Sequence, residues 1–91
     1  MNKIILDGTK YTNKSELHAA LKEKFKLPDY YGKNLDALWD CLTGDISLPI
    51  NIEWINFDYS KEFLGDYAVE TLNILFKASL IHKHNFKITV Y

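Results

Sequence analysis

Leu27-Pro28-Asp29-Tyr30-Tyr31-Gly32-Lys33-Asn34-Leu35-Asp36-Ala37-Leu38-Trp39-Asp40-Cys41-Leu42-Thr43-Gly44 is the most informative run of this 91-residue chain. Leu27-Pro28 stops whatever helix precedes it, because proline lacks an amide donor and pushes the residue before it out of helical geometry. Gly32 and Asn34 lead into a helix whose apolar stripe is Leu35, Leu38, Trp39 and Leu42, with Gly44 expected as its C′ residue. Asp36 and Asp40 share one face of that helix, and like charges at this spacing repel by a few tenths of a kcal/mol. Asp36 falls in the first turn, where the helix dipole favours an anion. Asp40 falls in the last turn, where the unsatisfied carbonyls disfavour one. Stability alone gives no reason for a carboxylate there.

Upstream, Lys3-Ile4-Ile5-Leu6 reads as a short strand ended by the turn pair Asp7-Gly8. Asn13 can cap a helix, with Glu16 completing a capping box, and Leu17, Ala20, Leu21 and Phe25 supply its apolar face. His18 lies beside this stripe and suggests no catalytic role. Downstream, Pro49 precedes the alternating run Ile50-Asn51-Ile52-Glu53-Trp54-Ile55, a strand pattern, and Asp58 to Phe63 can form a short helix before Leu64-Gly65. Asp66 can cap a long final helix. Its inward face is drawn from Ala68, Leu72, Leu75, Phe76 and Ser79, with Ile74, Ala78 and Ile81 as further candidates. A polar turn at His82-Lys83-His84-Asn85 leads to a last strand from Phe86 to Tyr91. The resulting order is strand, helix, helix, strand, helix, helix, strand. Strands separated by helical crossovers favour an α/β fold with a three-stranded parallel sheet, and right-handed crossovers put the helices mostly on one side.

Composition narrows the functional classes. With 47% apolar and 25% charged residues the chain reads as one globular domain over residues 1–91. Its apolar runs are far shorter than the roughly 20 residues needed to cross a bilayer, and Met1-Asn2-Lys3-Ile4-Ile5-Leu6 lacks a signal-peptide core, so a cytoplasmic location is expected. Cys41 is the only cysteine, which excludes an internal disulfide. The net charge of −1 is unevenly spread: residues 1–28 carry six lysines against three acids, whereas residues 29–47 carry Asp29, Asp36, Asp40 and Asp45 against Lys33. An acidic patch repels nucleic acid and attracts cationic partners. All 11 basic residues are lysines, so the side chain best suited to bidentate phosphate recognition is missing. Neither nucleic acid nor membrane is an expected partner.

The run from Leu27 to Gly44 resembles the signature region of the barstar family, intracellular polypeptide inhibitors of barnase-type extracellular ribonucleases, and the similarity extends more weakly over nearly the whole chain. The resemblance implies helices packed on a three-stranded parallel sheet and inhibition by occlusion, with the second helix and its preceding loop plugging the nuclease active site. The position matching the family's central aspartate, which stands in for a substrate phosphate, is Asp40. Tyr30, Asp36, Trp39, Thr43 and Gly44 match other contact positions, and Asn34 falls within the same surface. The chain departs from the family in two places: Asp45 replaces a tryptophan after the glycine of the second helix, and Ala78 stands where a contact glutamate is expected on the last helix. Asp45 would add charge at the rim. The expected partner is a small, basic, secreted ribonuclease of barnase type, bound by a chain that is monomeric when free. The alternative is an acidic protein-interaction domain on the same fold with a different basic partner.

The less specific readings weigh unequally. Helical aspartates are usually just solvated, but the unfavourable location of Asp40 argues against that for this pair. Trp39 shares the apolar stripe, so much of its ring is expected in the core. Tyr31, Leu38, Leu42 and Trp54 read as core, and Cys41 as a semi-buried filler. His82 and His84 have zinc-like spacing without a third ligand, so no metal or other cofactor is expected. Paired carboxylates with no nucleophile, cofactor loop or metal cluster do not make an enzyme.

Overall fold

The computed structural model describes residues 2–44 and 46–91. Strand β1 spans Asn2–Asp7, β2 spans Ile50–Ile55 and β3 spans Phe86–Val90. Between them run helices α1 (Lys14–Phe25), α2 (Leu35–Thr43), α3 (Phe57–Leu64) and α4 (Asp66–His82), with a 3-10 turn at Lys83–Asn85. The sheet is fully parallel in the order β1-β2-β3, with Ile4 opposite Ile52 and Ile52 opposite Ile88. This is the expected α/β architecture. Ile4, Leu6, Ile50, Ile52, Trp54 and Phe86 are buried on one face of the sheet. The other face carries Lys3 and Glu53, paired across β1 and β2 at 3.3 Å. One face of the sheet is thus buried, whereas the other carries the exposed Lys3 and Ile5 and the half-buried Glu53.

Local chemistry sets the helix ends, in places differently from expectation. Asn13 caps α1 through the Glu16 amide at 2.9 Å, but Glu16 reaches back to the amide and hydroxyl of Thr12 (2.8 and 2.6 Å), one residue earlier than a standard capping box. At the other end Lys26 takes a left-handed conformation (φ 54°), and the amides of Lys26 and Leu27 bond to the carbonyls of Glu23 and Lys22. This is a Schellman closure with lysine in the place usually held by glycine. Helix α3 starts at Phe57, after Asn56 in left-handed geometry. Asp66 is the first helical residue of α4 and not its cap, a place taken by Gly65 at φ 60°. On α4 the buried residues are Ala68, Thr71, Leu75 and Ala78, while Phe76, expected inside, and Ile81, a further candidate, are exposed.

Trp54, the penultimate residue of β2, is wholly buried and donates from Nε1 to the buried hydroxyl of Ser60 on α3 at 2.9 Å. Ser60→Ala would leave that indole N–H without an acceptor, a loss of about 1–3 kcal/mol. Urea denaturation of the two proteins measures it.

Candidate functional site

The loop Pro28–Lys33 and helix α2 form the surface singled out by sequence. Asn34 starts the helix by accepting from the Ala37 amide at 2.7 Å and steadies the loop by donating to the Gly32 carbonyl at 3.3 Å. Its side chain is therefore occupied in setting the helix entry. Lys33, just before it, is left-handed at φ 55°. The Tyr31 amide closes a turn onto the Pro28 carbonyl at 2.9 Å. This turn sends the two tyrosines to opposite sides: Tyr31 is 5% exposed and Tyr30 is 81% exposed.

Helix α2 divides its faces by period. Leu38 and Leu42 are fully buried, and Leu35 and Trp39 pack partly against the same core. Asp36, Asp40 and Thr43 recur at helical spacing on the side turned to solvent. Both aspartates are exposed, and neither carboxylate makes an ion pair or hydrogen bond with another described residue. No basic residue occurs on α2 to neutralise them. A shallow groove of about 260 Å³ runs between loop and helix, lined by Tyr30, Tyr31, Gly32, Ala37, Asp40 and Cys41. Tyr30 and Asp40 thus border one concavity. A Cβ on Gly32 would come within 3.2 Å of the Ala37 Cβ, so glycine lets the loop lie this close to the helix.

At the C-terminal end, Thr43 returns its hydroxyl to the Trp39 carbonyl at 2.8 Å. Gly44 caps the helix at φ −113° and not in the left-handed geometry expected of a C′ glycine. Asp45 lies outside the described residues. The Leu42 carbonyl, one of the last of α2, meets His82 Nε2 of α4 at 2.5 Å, and His82 also stacks on Phe86. His82 therefore ties the two helices together. Ala78 is fully buried, so it cannot be the surface position where a contact glutamate was expected; Lys77 is its exposed neighbour.

Beneath the loop lies a residue whose importance the sequence reading passed over. His18, 1% exposed, bonds through Nδ1 to the Tyr31 hydroxyl at 2.6 Å and through Nε2 to the Tyr67 hydroxyl at 2.5 Å. Its spacing to Leu21 and Phe25 is helical, so the stripe of α1 did hold the signal. Burial, with Lys14 nearby, lowers the imidazole pKa from its ordinary 6.5. The unfolded chain then binds a proton before the folded one does. Stability from this group is complete above about pH 6.5 and is lost as pH falls through that value toward the lower folded pKa. Urea midpoints at pH 7.5 and 5.5 should differ in that sense, and His18→Gln should reduce the difference.

A family model described as "Barstar (barnase inhibitor)" matches residues 1–91. This chain belongs to the barstar family. A relative from Bacillus subtilis (strain 168), named "Putative ribonuclease inhibitor YrdF", is 49% identical over 90 residues, covering 99% of both chains. Barstar-family proteins are ribonuclease inhibitors and not enzymes. The parallel sheet and four helices agree with a barstar-like fold, and no described helix is long and apolar enough to cross a membrane.

Proposed function

We propose that this chain inhibits a small, basic, secreted ribonuclease of barnase type by seating α2 and the preceding loop in its active site. The observation that carries this reading is Asp40: an exposed carboxylate in the C-terminal turn, without a described ion-pair partner, bordering the same groove as the exposed Tyr30. A ribonuclease concentrates cationic side chains where phosphate charge accumulates, and a carboxylate held on a helix makes charge-assisted hydrogen bonds to such groups. Asp40 takes the place of the substrate phosphate. Asp36 widens the acidic face, and Tyr30 supplies a large aromatic contact of low entropy cost. Trp39, Thr43 and Gly44 complete the surface, Asn34 holds its loop, and Asp45 adds charge at its rim. The chain acts as one domain in the cytoplasm, monomeric when free and without cofactor, and protects the producing cell before the nuclease is exported.

The test is titration of the protein into an assay of a barnase-type ribonuclease. Activity should vanish near one equivalent, and the affinity should weaken as salt screens the opposed charges. Absence of inhibition at low salt would contradict this reading. It would favour the second one, an acidic interaction domain on the same fold for another basic protein.

A further inference from the structure

The sequence Tyr30-Tyr31 poses a mechanical problem. A hot-spot aromatic is effective when its conformation is set before binding, since ordering a loose loop on contact subtracts from affinity. Tyr30 sits on a six-residue loop and is 81% exposed, so contacts of its own ring do little to fix it. Its neighbour Tyr31 faces inward and ends on the imidazole of His18. The second ring nitrogen is held in turn by Tyr67, in the first turn of α4.

A histidine held at both nitrogens is a two-sided link. The neutral ring has one donor and one acceptor nitrogen, so one tyrosine must donate and the other accept. The ring pairs are tilted at 51° to Tyr31 and 73° to Tyr67, with centroids 5.7 and 5.8 Å apart, which adds edge contacts to the hydrogen bonds. Lys14 lies 4.5 Å above the Tyr67 ring and covers the outer end. Helix α1, the loop and α4 therefore meet at one buried ring. No partner needs to touch His18 or the hydroxyl of Tyr31 for the link to matter.

Resting on the inhibitory reading above, we propose that His18 is a positioning residue of the binding surface: by bridging Tyr31 to Tyr67 it anchors the loop to the helical layer and fixes Tyr30 for contact. The link acts on affinity through Tyr30. Breaking it at the remote end loosens the loop without removing any group that faces the nuclease.

The decisive variant is Tyr67→Phe, which keeps the ring and deletes one hydroxyl; Tyr31→Phe breaks the bridge at its other end should the first fold poorly. In the free protein, hydrogen exchange at the Tyr31 amide should quicken by roughly 3- to 10-fold, the scale of one lost hydrogen bond. Exchange at the buried Ile52 amide of β2 should change much less. Affinity for a barnase-type ribonuclease should weaken by a similar factor, and this loss should disappear when Tyr67→Phe is made in a Tyr30→Ala background. Uniform acceleration at both amides, or an equal affinity loss in both backgrounds, would overturn the proposal and leave the bridge a general stabiliser. If the wild-type chain does not inhibit at all, the inhibitory reading falls and the proposed role in binding falls with it. The exchange result still reports on the loop alone, so the two failures are told apart.

Discussion

Asp40→Ala should weaken inhibition of a barnase-type ribonuclease by at least ~2 kcal/mol and up to about 5, while leaving the free protein as stable as before or slightly more so. The affinity loss is the scale for truncating one partner of a desolvated charge pair, much of it due to cations on the nuclease left facing an apolar methyl. The stability gain has two sources, both visible in α2. Asp36 loses a like charge one turn away, worth a few tenths of a kcal/mol. The C-terminal turn loses an anion that its dipole disfavours. The Asp40 carboxylate has no described bonding partner to lose. Inhibition titrations and urea denaturation on the same preparations read both effects. An Asp40→Ala protein that unfolds yet still inhibits with undiminished affinity would place this carboxylate in the scaffold and remove it from the interface.

Gly8→Ala should cost about 3 kcal/mol or more, enough to leave much of the chain unfolded. A methyl at this position would lie 2.1 Å from the Asn56 carbonyl oxygen and 2.5 Å from the Ser60 hydroxyl. Overpacking against flexible side chains typically costs 1–3 kcal/mol, but this obstacle is backbone and is tied down. Asn56 donates its side-chain amide to Asp7 at 3.0 Å, and Asp7 also accepts from the amide and hydroxyl of Thr9. Those bonds hold the Asp7 carboxyl below its ordinary range. The Gly8 amide in turn bonds to the Ile55 carbonyl at 2.9 Å. The ends of β1 and β2 and the start of α3 thus converge where there is no room for a side chain. Circular dichroism and a thermal melt measure the loss; a variant as stable as wild type would mean that the Asn56 turn moves freely.

Much of this molecule was legible before its folding was known. The alternation in Ile50–Ile55 marked β2 to the residue, because a strand with one covered face must alternate. Leu38 and Leu42 were readable as core from period alone. Asn13 and Asn34 announced helix starts because each has an oxygen suited to an orphan amide. The separation of Asp36 and Asp40 from the apolar stripe of α2 followed from the same geometry. Errors gathered on α4, where apolar residues exceed what one buried stripe can hold. Phe76, expected inside, and Ile81, a further candidate, are exposed, whereas Thr71 is buried, with its hydroxyl returned to the Tyr67 carbonyl at 2.8 Å. Ala78 had two readings, a candidate for the inward face and the match to a contact glutamate, because its small side chain gives no sign of which face of α4 it occupies; its full burial bears out the first.

By itself the sequence determined the order of elements, the parallel crossovers, the amphipathic division of α2 and the acidity of its outer face, since these depend on periodicity and charge within short stretches of chain. Tertiary structure alone decided that His18 reaches Tyr31 and Tyr67, that His82 closes the end of α2, and that Gly8 lies against Asn56. Those contacts join residues 13 to 49 positions apart. No local pattern encodes such meetings, because they arise only when the crossovers have stacked the helices on the sheet and side chains from separate elements compete for the same buried space.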